Sequence, residues 1–183
     1  MRYINTKEKT GLVLVFTGNG KGKTTAALGT VLRAAGYNMK VCIIQFIKGD
    51  IYSGEIDGIK KLGKDIELHI MGKGFYISKD NPEVYNEHRE KAQSAIRLAK
   101  EKMLSGKYDI LVLDEVNNAV FLNLINILQV IELIDVKPPF MHLILTGRDA
   151  HSDIIKRANI VTEMKEIKHS YHQNIEPQKG IDY

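Results

Sequence analysis

Leu12-Val13-Leu14-Val15-Phe16-Thr17-Gly18-Asn19-Gly20-Lys21-Gly22-Lys23-Thr24-Thr25 is the stretch on which the fold turns. An apolar, β-branched run from Leu12 to Thr17 reads as a strand, and glycines at 18, 20 and 22 follow it. A 3.6-period segment then starts at about Lys23 and ends near Gly36, with Leu28, Val31, Leu32 and Ala35 expected on its buried face. Strand, glycine turn and helix in that order make an anion site. The glycines let the backbone wrap with its N–H groups inward, and the helix N-terminus adds partial positive charge. The expected phosphate-binding set is therefore Gly18, Asn19, Gly20, Lys21, Gly22, Lys23, Thr24 and Thr25. Lys23 supplies a point charge, and the Thr24 hydroxyl is a ligand for Mg²⁺. The pattern G-x-x-x-x-G-K-[ST] asks for glycine where this chain has Thr17, so the match lacks one position.

Outward from the loop, short apolar runs alternate with longer helical ones. Strands are expected at Lys40 to Phe46, Ile66 to Met71, Asp109 to Asp114, His142 to Thr146 and Val161 to Glu163. Pro82-Glu83 opens a long helix ended by Gly106, with Val84, His88, Ala92, Ala95, Ile96, Ala99 and Met103 or Leu104 as its inner stripe. Asn118 to Ile134 reads as one helix, stopped by Pro138-Pro139. This alternation predicts an α/β fold, P-loop NTPase-like (RecA-like), with an open, mainly parallel sheet flanked by helices. Ile110-Leu111-Val112-Leu113-Asp114-Glu115 is an apolar strand ending in two acids, at the edge of the sheet where the phosphate loop also lies. Asp114 and Glu115 are both candidate Mg²⁺ ligands, and the strand period sends them to opposite faces.

The chain has 183 residues, 44% of them hydrophobic and 26% charged, which suits one soluble domain and excludes disordered or fibrous classes. That domain is expected over 1–183, with 1–10 as an N-terminal extension. No apolar run approaches the roughly 20 residues of a membrane span, and a cytoplasmic location is expected. The single cysteine, Cys42, excludes an internal disulfide and a cysteine-paired zinc site, and reads as a core residue. His169 and His172 lack partners at metal-site spacing and read as ordinary polar residues. The formal charge of +4 fits an anionic ligand, but the lysines are scattered without interleaved aromatics, so no nucleic-acid partner is expected. N-K-x-D and D-x-x-G are both missing, which argues against a GTPase. On motifs alone, a nucleotide hydrolase acting as a motor or regulatory module and a small-molecule kinase both stay open.

Val15 to Ala27 resembles the opening of the P-loop type ATP:corrinoid adenosyltransferases. The resemblance continues through Gly29-Thr30, Arg33-Ala34, Gln45-Phe46-Ile47-Lys48-Gly49, Gly74-Phe75, Leu113-Asp114-Glu115, Thr146-Gly147-Arg148 and Gly180-Ile181-Asp182-Tyr183. It implies that the 5′-deoxyadenosyl group of ATP is transferred to cobalt(I) of a corrinoid, with triphosphate released. It also implies that ATP lies reversed in the loop, so that C5′ is presented instead of the γ-phosphate. In that reading Lys23 and the loop N–H groups hold the phosphates. Thr24 and Glu115 hold Mg²⁺, Asp114 is a second or outer ligand, and Arg148 meets phosphate or corrin amides. Phe75 stands against the corrin and helps displace the lower axial ligand of cobalt. Relatives carry Trp two positions later, where this chain has Ile77; Tyr76 is the candidate substitute. The resemblance further implies a homodimer and an electron-donating flavoprotein partner.

Overall fold

The computed structural model describes residues 10–49, 52–74 and 81–183. In chain order the strands are β1 Val13–Thr17, β2 Val41–Gln45, β3 Ile66–Ile70, β4 Ile110–Asp114, β5 His142–Thr146 and β6 Ile160–Glu163. The α-helices are α1 Lys23–Ala35, α2 Gly54–Lys61, α3 Pro82–Leu104, α4 Val116–Phe121, α5 Ile127–Val136 and α6 Ser152–Arg157. All pairings are parallel, and the sheet order is β3-β2-β4-β5-β1-β6. This is the expected α/β architecture.

Alternate strand residues feed two cores, as the pleat requires. On one face Cys42, Ile44, Leu111, Leu113, Leu143 and Leu145 pack under α3, α4, α5 and α6. On the other, Val41, Ile43, Ile110, Val112 and Ile144 pack under α1 and α2. Cys42 is buried in the first core, as its sequence context implied. Near it, Glu67 is saturated by Lys102 at 2.6 Å, by the Tyr108 hydroxyl and by His69 at 2.6 Å. That network ties β3 to the end of α3.

The register places the functional strand ends side by side. Gln45 of β2 pairs with Asp114 of β4, and Phe16 of β1 pairs with Thr146 of β5. Strand β5 therefore separates the loop strand from the acid-tipped strand and contributes its own end to the space between them.

Two local expectations need correction. In α1 the buried stripe is Ala27, Val31 and Ala34, while Leu32 is 60% exposed. Small alanines let the helix sit close to the sheet, and a pattern weighted by leucines misses that. The expected helix over 118–134 is two helices, α4 and α5. Leu124 and Ile125 in the turn between them are both buried, so core packing continues while the helix does not. The short helices α2 and α6, which follow strand ends, carry no strong sequence signature and were not expected.

Asn126 restarts the chain as α5. Its side chain accepts the Leu128 N–H at 2.8 Å, and Gln129 Oε1 accepts the Asn126 N–H at 2.8 Å, which makes a capping box. Asn126→Ala is expected to lower the unfolding free energy by about 1 kcal/mol. A urea titration with an unshifted midpoint would show that the cap contributes nothing.

Candidate functional site

The site grows from the C-terminal ends of β1, β2, β4 and β5, where an open parallel sheet places its ligands. After β1 the chain turns at Gly18 with φ +93°, and a Cβ built there would lie 2.5 Å from the Met164 carbonyl oxygen. Only glycine fits so close an approach. The segment after β6 thus lies directly behind the loop: Met164 N donates to Thr17 O at 2.8 Å, and Gly20 N donates to Met164 O at 2.7 Å. The Gly20 N–H is spent there, and the first turn of α1 offers N–H groups with no intrahelical acceptor. Thr17, the departure from the glycine pattern, is structural. Its hydroxyl accepts the Ala150 N–H at 3.2 Å and anchors the loop after β5.

Lys23 bends its ammonium onto the loop carbonyls of Gly18 at 2.8 Å and Gly20 at 2.7 Å. Burial and the charge of Arg148 push its pKa down, against Glu115, Asp114 and Asp149, which push it up. The Thr24 hydroxyl donates to Asp114 Oδ1 at 2.8 Å. Thr146, at the end of β5, donates to the same oxygen at 2.6 Å, and Gln45 Nε2 donates to Asp114 Oδ2 at 3.1 Å. Asp114 is buried and satisfied on both oxygens.

Glu115 differs. It stands just past β4 in the left-handed region, at φ 62° and ψ 19°, an unfavoured backbone for a side chain of its size. Its N–H donates to the Thr146 hydroxyl at 2.9 Å, which locks the turn. Its Oε2 is buried without a hydrogen-bond partner. Burial and the neighbouring Asp114 raise its pKa to about 7. An acid held in strain beside the glycine loop, with one buried oxygen unspent, has the form of a ligand position.

Arg148 follows β5 through Gly147, whose φ of +130° and closeness to Asn118 require glycine. Asn118 Oδ1 accepts the Arg148 N–H at 3.0 Å. Arg148 lines a cavity of about 360 Å³ together with Lys23, Thr24 and Glu115. A second cavity, about 440 Å³, runs over Lys21 to Thr25 and is closed by Lys48, Glu55 and Gly180 to Tyr183. A third, about 510 Å³, is walled by Ile47, Gly49, Tyr52, Gly74, Pro177 and Tyr183 and touches Glu115 and Lys48.

The structure thus brings Lys23, Thr24, Asp114, Glu115 and Arg148 together. Asn19 and Thr25 are exposed at the loop, and the Lys21 side chain turns to Asp182 at 2.8 Å. Phe75, Tyr76 and Ile77 lie outside the described residues. His169 caps a short turn and His172 pairs with Glu166 at 2.9 Å, both ordinary polar roles.

Sequence reasoning assigned no role to Gln45, Lys48, Glu55, Thr146 or Asp182. Gln45 Nε2 also reaches Glu55 Oε1 at 3.3 Å, and Glu55 holds the Lys48 ammonium. A polar residue closing an otherwise apolar strand was the available signal, at Gln45 and at Thr146 alike.

Among the described residues no helix is long and apolar enough to cross a membrane. The profile of the family "ATP:corrinoid adenosyltransferase BtuR/CobO/CobP" matches residues 9–183. A corrinoid adenosyltransferase of Pseudomonas aeruginosa is 35% identical, over 97% of this chain and 86% of its own length. Those of Escherichia coli K12 and Salmonella typhimurium are each 35% identical, over 100% of this chain and 90% of theirs. On this match across nearly the whole chain, the protein belongs to the ATP:corrinoid adenosyltransferase family.

Proposed function

We propose that the chain transfers the 5′-deoxyadenosyl group of ATP to cobalt(I) of a corrinoid. Cobalt(I) supplies the electron pair for the new Co–C5′ bond, the C5′–O bond breaks, and its electrons leave with triphosphate. The observation that carries this reading is the junction of two cavities. One follows the phosphate loop, the other has mostly apolar walls, and Lys48, Glu115, Asp182 and Tyr183 border both. A nucleotide in the first can turn its C5′ toward a macrocycle in the second.

The nucleophile needs no general base, so the work of the protein is positioning and charge stabilisation of the leaving group. Lys23, Arg148 and the first-turn N–H groups of α1 face the developing negative charge. The donors Thr24 Oγ1, Asp114 and Glu115 are all hard oxygens, and the unspent Glu115 Oε2 suits Mg²⁺. When bound, Mg²⁺ neutralises phosphate charge and makes triphosphate a better leaving group. Glu115 is the direct protein ligand with Thr24. Asp114, already holding two hydroxyls and an amide, orients Thr24 and belongs to the outer shell.

Further parts of the proposal are a homodimer, a cytoplasmic location and one domain spanning 1–183. An electron-donating flavoprotein is the partner, because cobalt(II) must gain an electron before it can attack. Phe75 acts on the corrin side. The decisive assay is the fate of ATP with a reduced corrinoid. Triphosphate with adenosylated product supports the reading, while ADP with phosphate refutes it.

Lys23→Ala is expected to lower turnover by about 10²- to 10³-fold, since the leaving phosphates lose a charge partner. Normal turnover would remove the loop from the mechanism.

Glu115 predicts a pH effect. With its folded pKa at about 7 against an ordinary 4.5, the native state binds the extra proton between those values. The stability contributed by neutral Glu115 is present below about pH 4.5 and is lost as pH rises to about 7. In Mg²⁺-free buffer, wild type should lose stability relative to Glu115→Gln across that window, and a flat difference would refute the assignment. Glu115→Ala should raise the Mg²⁺ requirement more than Asp114→Asn does.

Phe75→Ala is expected to leave ATP affinity nearly unchanged while slowing adenosylation of cobalt(II) corrinoid that must be reduced on the enzyme. Supplying pre-reduced cobalt(I) should shrink the defect. Equal defects in the two assays would reduce Phe75 to a shaping residue and make Tyr76 the next candidate.

A further inference from the structure

The turn Gly180 to Tyr183 lies across the mouth of the site and is fixed at several points. Asp182 Oδ1 takes the Lys21 ammonium at 2.8 Å, and its Oδ2 takes the Gln178 N–H at 2.7 Å. Within the turn, Asp182 N donates to Gln178 O at 2.8 Å, and Gly180 N donates to Tyr183 O at 2.7 Å. At its far side the backbone of Tyr183 comes within ordinary contact, 3.9 Å, of a Cβ built on Gly54 at the start of α2. This strap is therefore fixed to the glycine loop through Lys21 and lies against the start of α2.

Asp182 and Tyr183 both line the phosphate-loop cavity and the apolar-walled cavity. Between those cavities the segments just past β2 and β4 contribute Lys48 and Glu115, and the strap contributes Asp182 and Tyr183. The Lys21–Asp182 pair does little for folding, because partly exposed ion pairs of this kind are screened by solvent and salt. Its consequence is local charge. A carboxylate beside a polyphosphate site repels the ligand unless it is paired, and here a loop lysine pairs it. Removing either partner leaves the other one uncompensated next to the phosphates, with opposite sign.

We propose that Asp182 and Tyr183 are positioning residues of the transfer: Asp182 fixes the strap on the phosphate loop, and Tyr183 forms the lip over which C5′ meets the second substrate. This rests on the adenosyltransferase reading and adds to it the element that sets the spacing between the two substrates. The acceptor side of the lip takes a large, flat, mostly apolar ligand. The loop side takes a polyanion.

The test uses the full chain and two separate readouts. Binding of a fluorescent N-methylanthraniloyl-ATP with Mg²⁺ reads the nucleotide side, and steady-state adenosylation of chemically reduced cob(I)alamin reads the acceptor side. Asp182→Asn is expected to tighten nucleotide binding and Lys21→Met to weaken it, each by about threefold, as a single partly screened charge does near a surface. Tyr183→Ala is expected to hold nucleotide affinity within about twofold while raising the KM for cob(I)alamin by about tenfold, with Tyr183→Phe restoring it. A merely structural strap would lower melting temperature and move both substrates together.

Nucleotide shifts of the same sign in Asp182→Asn and Lys21→Met would overturn the role of the pair. An unchanged KM for cob(I)alamin in Tyr183→Ala would overturn the lip. If wild type forms no adenosylated product, the adenosyltransferase reading falls. The nucleotide arm then decides alone, opposite signs sustaining the Asp182 assignment and equal signs ending it.

Discussion

The carboxylate of Asp114 is the constraint on which the rest of the site depends. Two hydroxyls, Thr24 from α1 and Thr146 from β5, converge on one oxygen, and Gln45 from β2 takes the other. Three elements are therefore held to one buried acid on a fourth, β4. Breaking its contacts would leave several polar groups buried and unpaired, at about 1–3 kcal/mol each. The strand order makes this convergence possible, because β5 lies between β1 and β4 and delivers Thr146 into the gap. What looks like a metal-site acid is first of all the joint that aligns the phosphate loop with the strand ends.

From that joint the two acids divide their duties. Asp114 is spent on alignment, while Glu115 keeps a buried oxygen unspent and is held by a backbone conformation that side chains seldom adopt. Thr146 links the two, donating to Asp114 and accepting from the Glu115 N–H. The Gln45–Glu55–Lys48 chain carries the same ordering outward to the wall of the second cavity. Lys48 on the cavity wall is thereby connected through hydrogen bonds to Asp114.

Much of this was legible in the sequence, for identifiable reasons. The glycine turn between a β-branched strand and a helix specified the loop. Every strand was placed within two residues of its observed limits; β2, β4 and β5 are buried on both faces and read as continuous apolar runs, while exposed β6 was marked only by its β-branched Val161 and Thr162. Asp114 and Glu115 were marked by ending such a run. Their different hydrogen bonding was not legible, since it depends on partners from α1, β2 and β5 that are distant in sequence. The period-2 rule also failed to describe Glu115, which leaves the strand in a left-handed turn. The break between α4 and α5 was missed because buried Leu124 and Ile125 continue the apolar pattern where the helix stops, although Asn126 and Gln129 carry the capping signal. Nothing local in Asp182 announces its pairing with Lys21.

The backing of the phosphate loop has a consequence for how ligands enter. Met164 is hydrogen-bonded to the loop from behind, and Gly18 sits against it with no room for a Cβ. The loop is therefore stiff on its β6 side before any nucleotide arrives, and the entropy of ordering it belongs to folding and not to binding. Adjustment has to come from the opposite rim, where α2 and the strap meet. On that rim the turn meets α2 through van der Waals approach alone, with no hydrogen bond among the described residues of the kind that fixes the loop from behind.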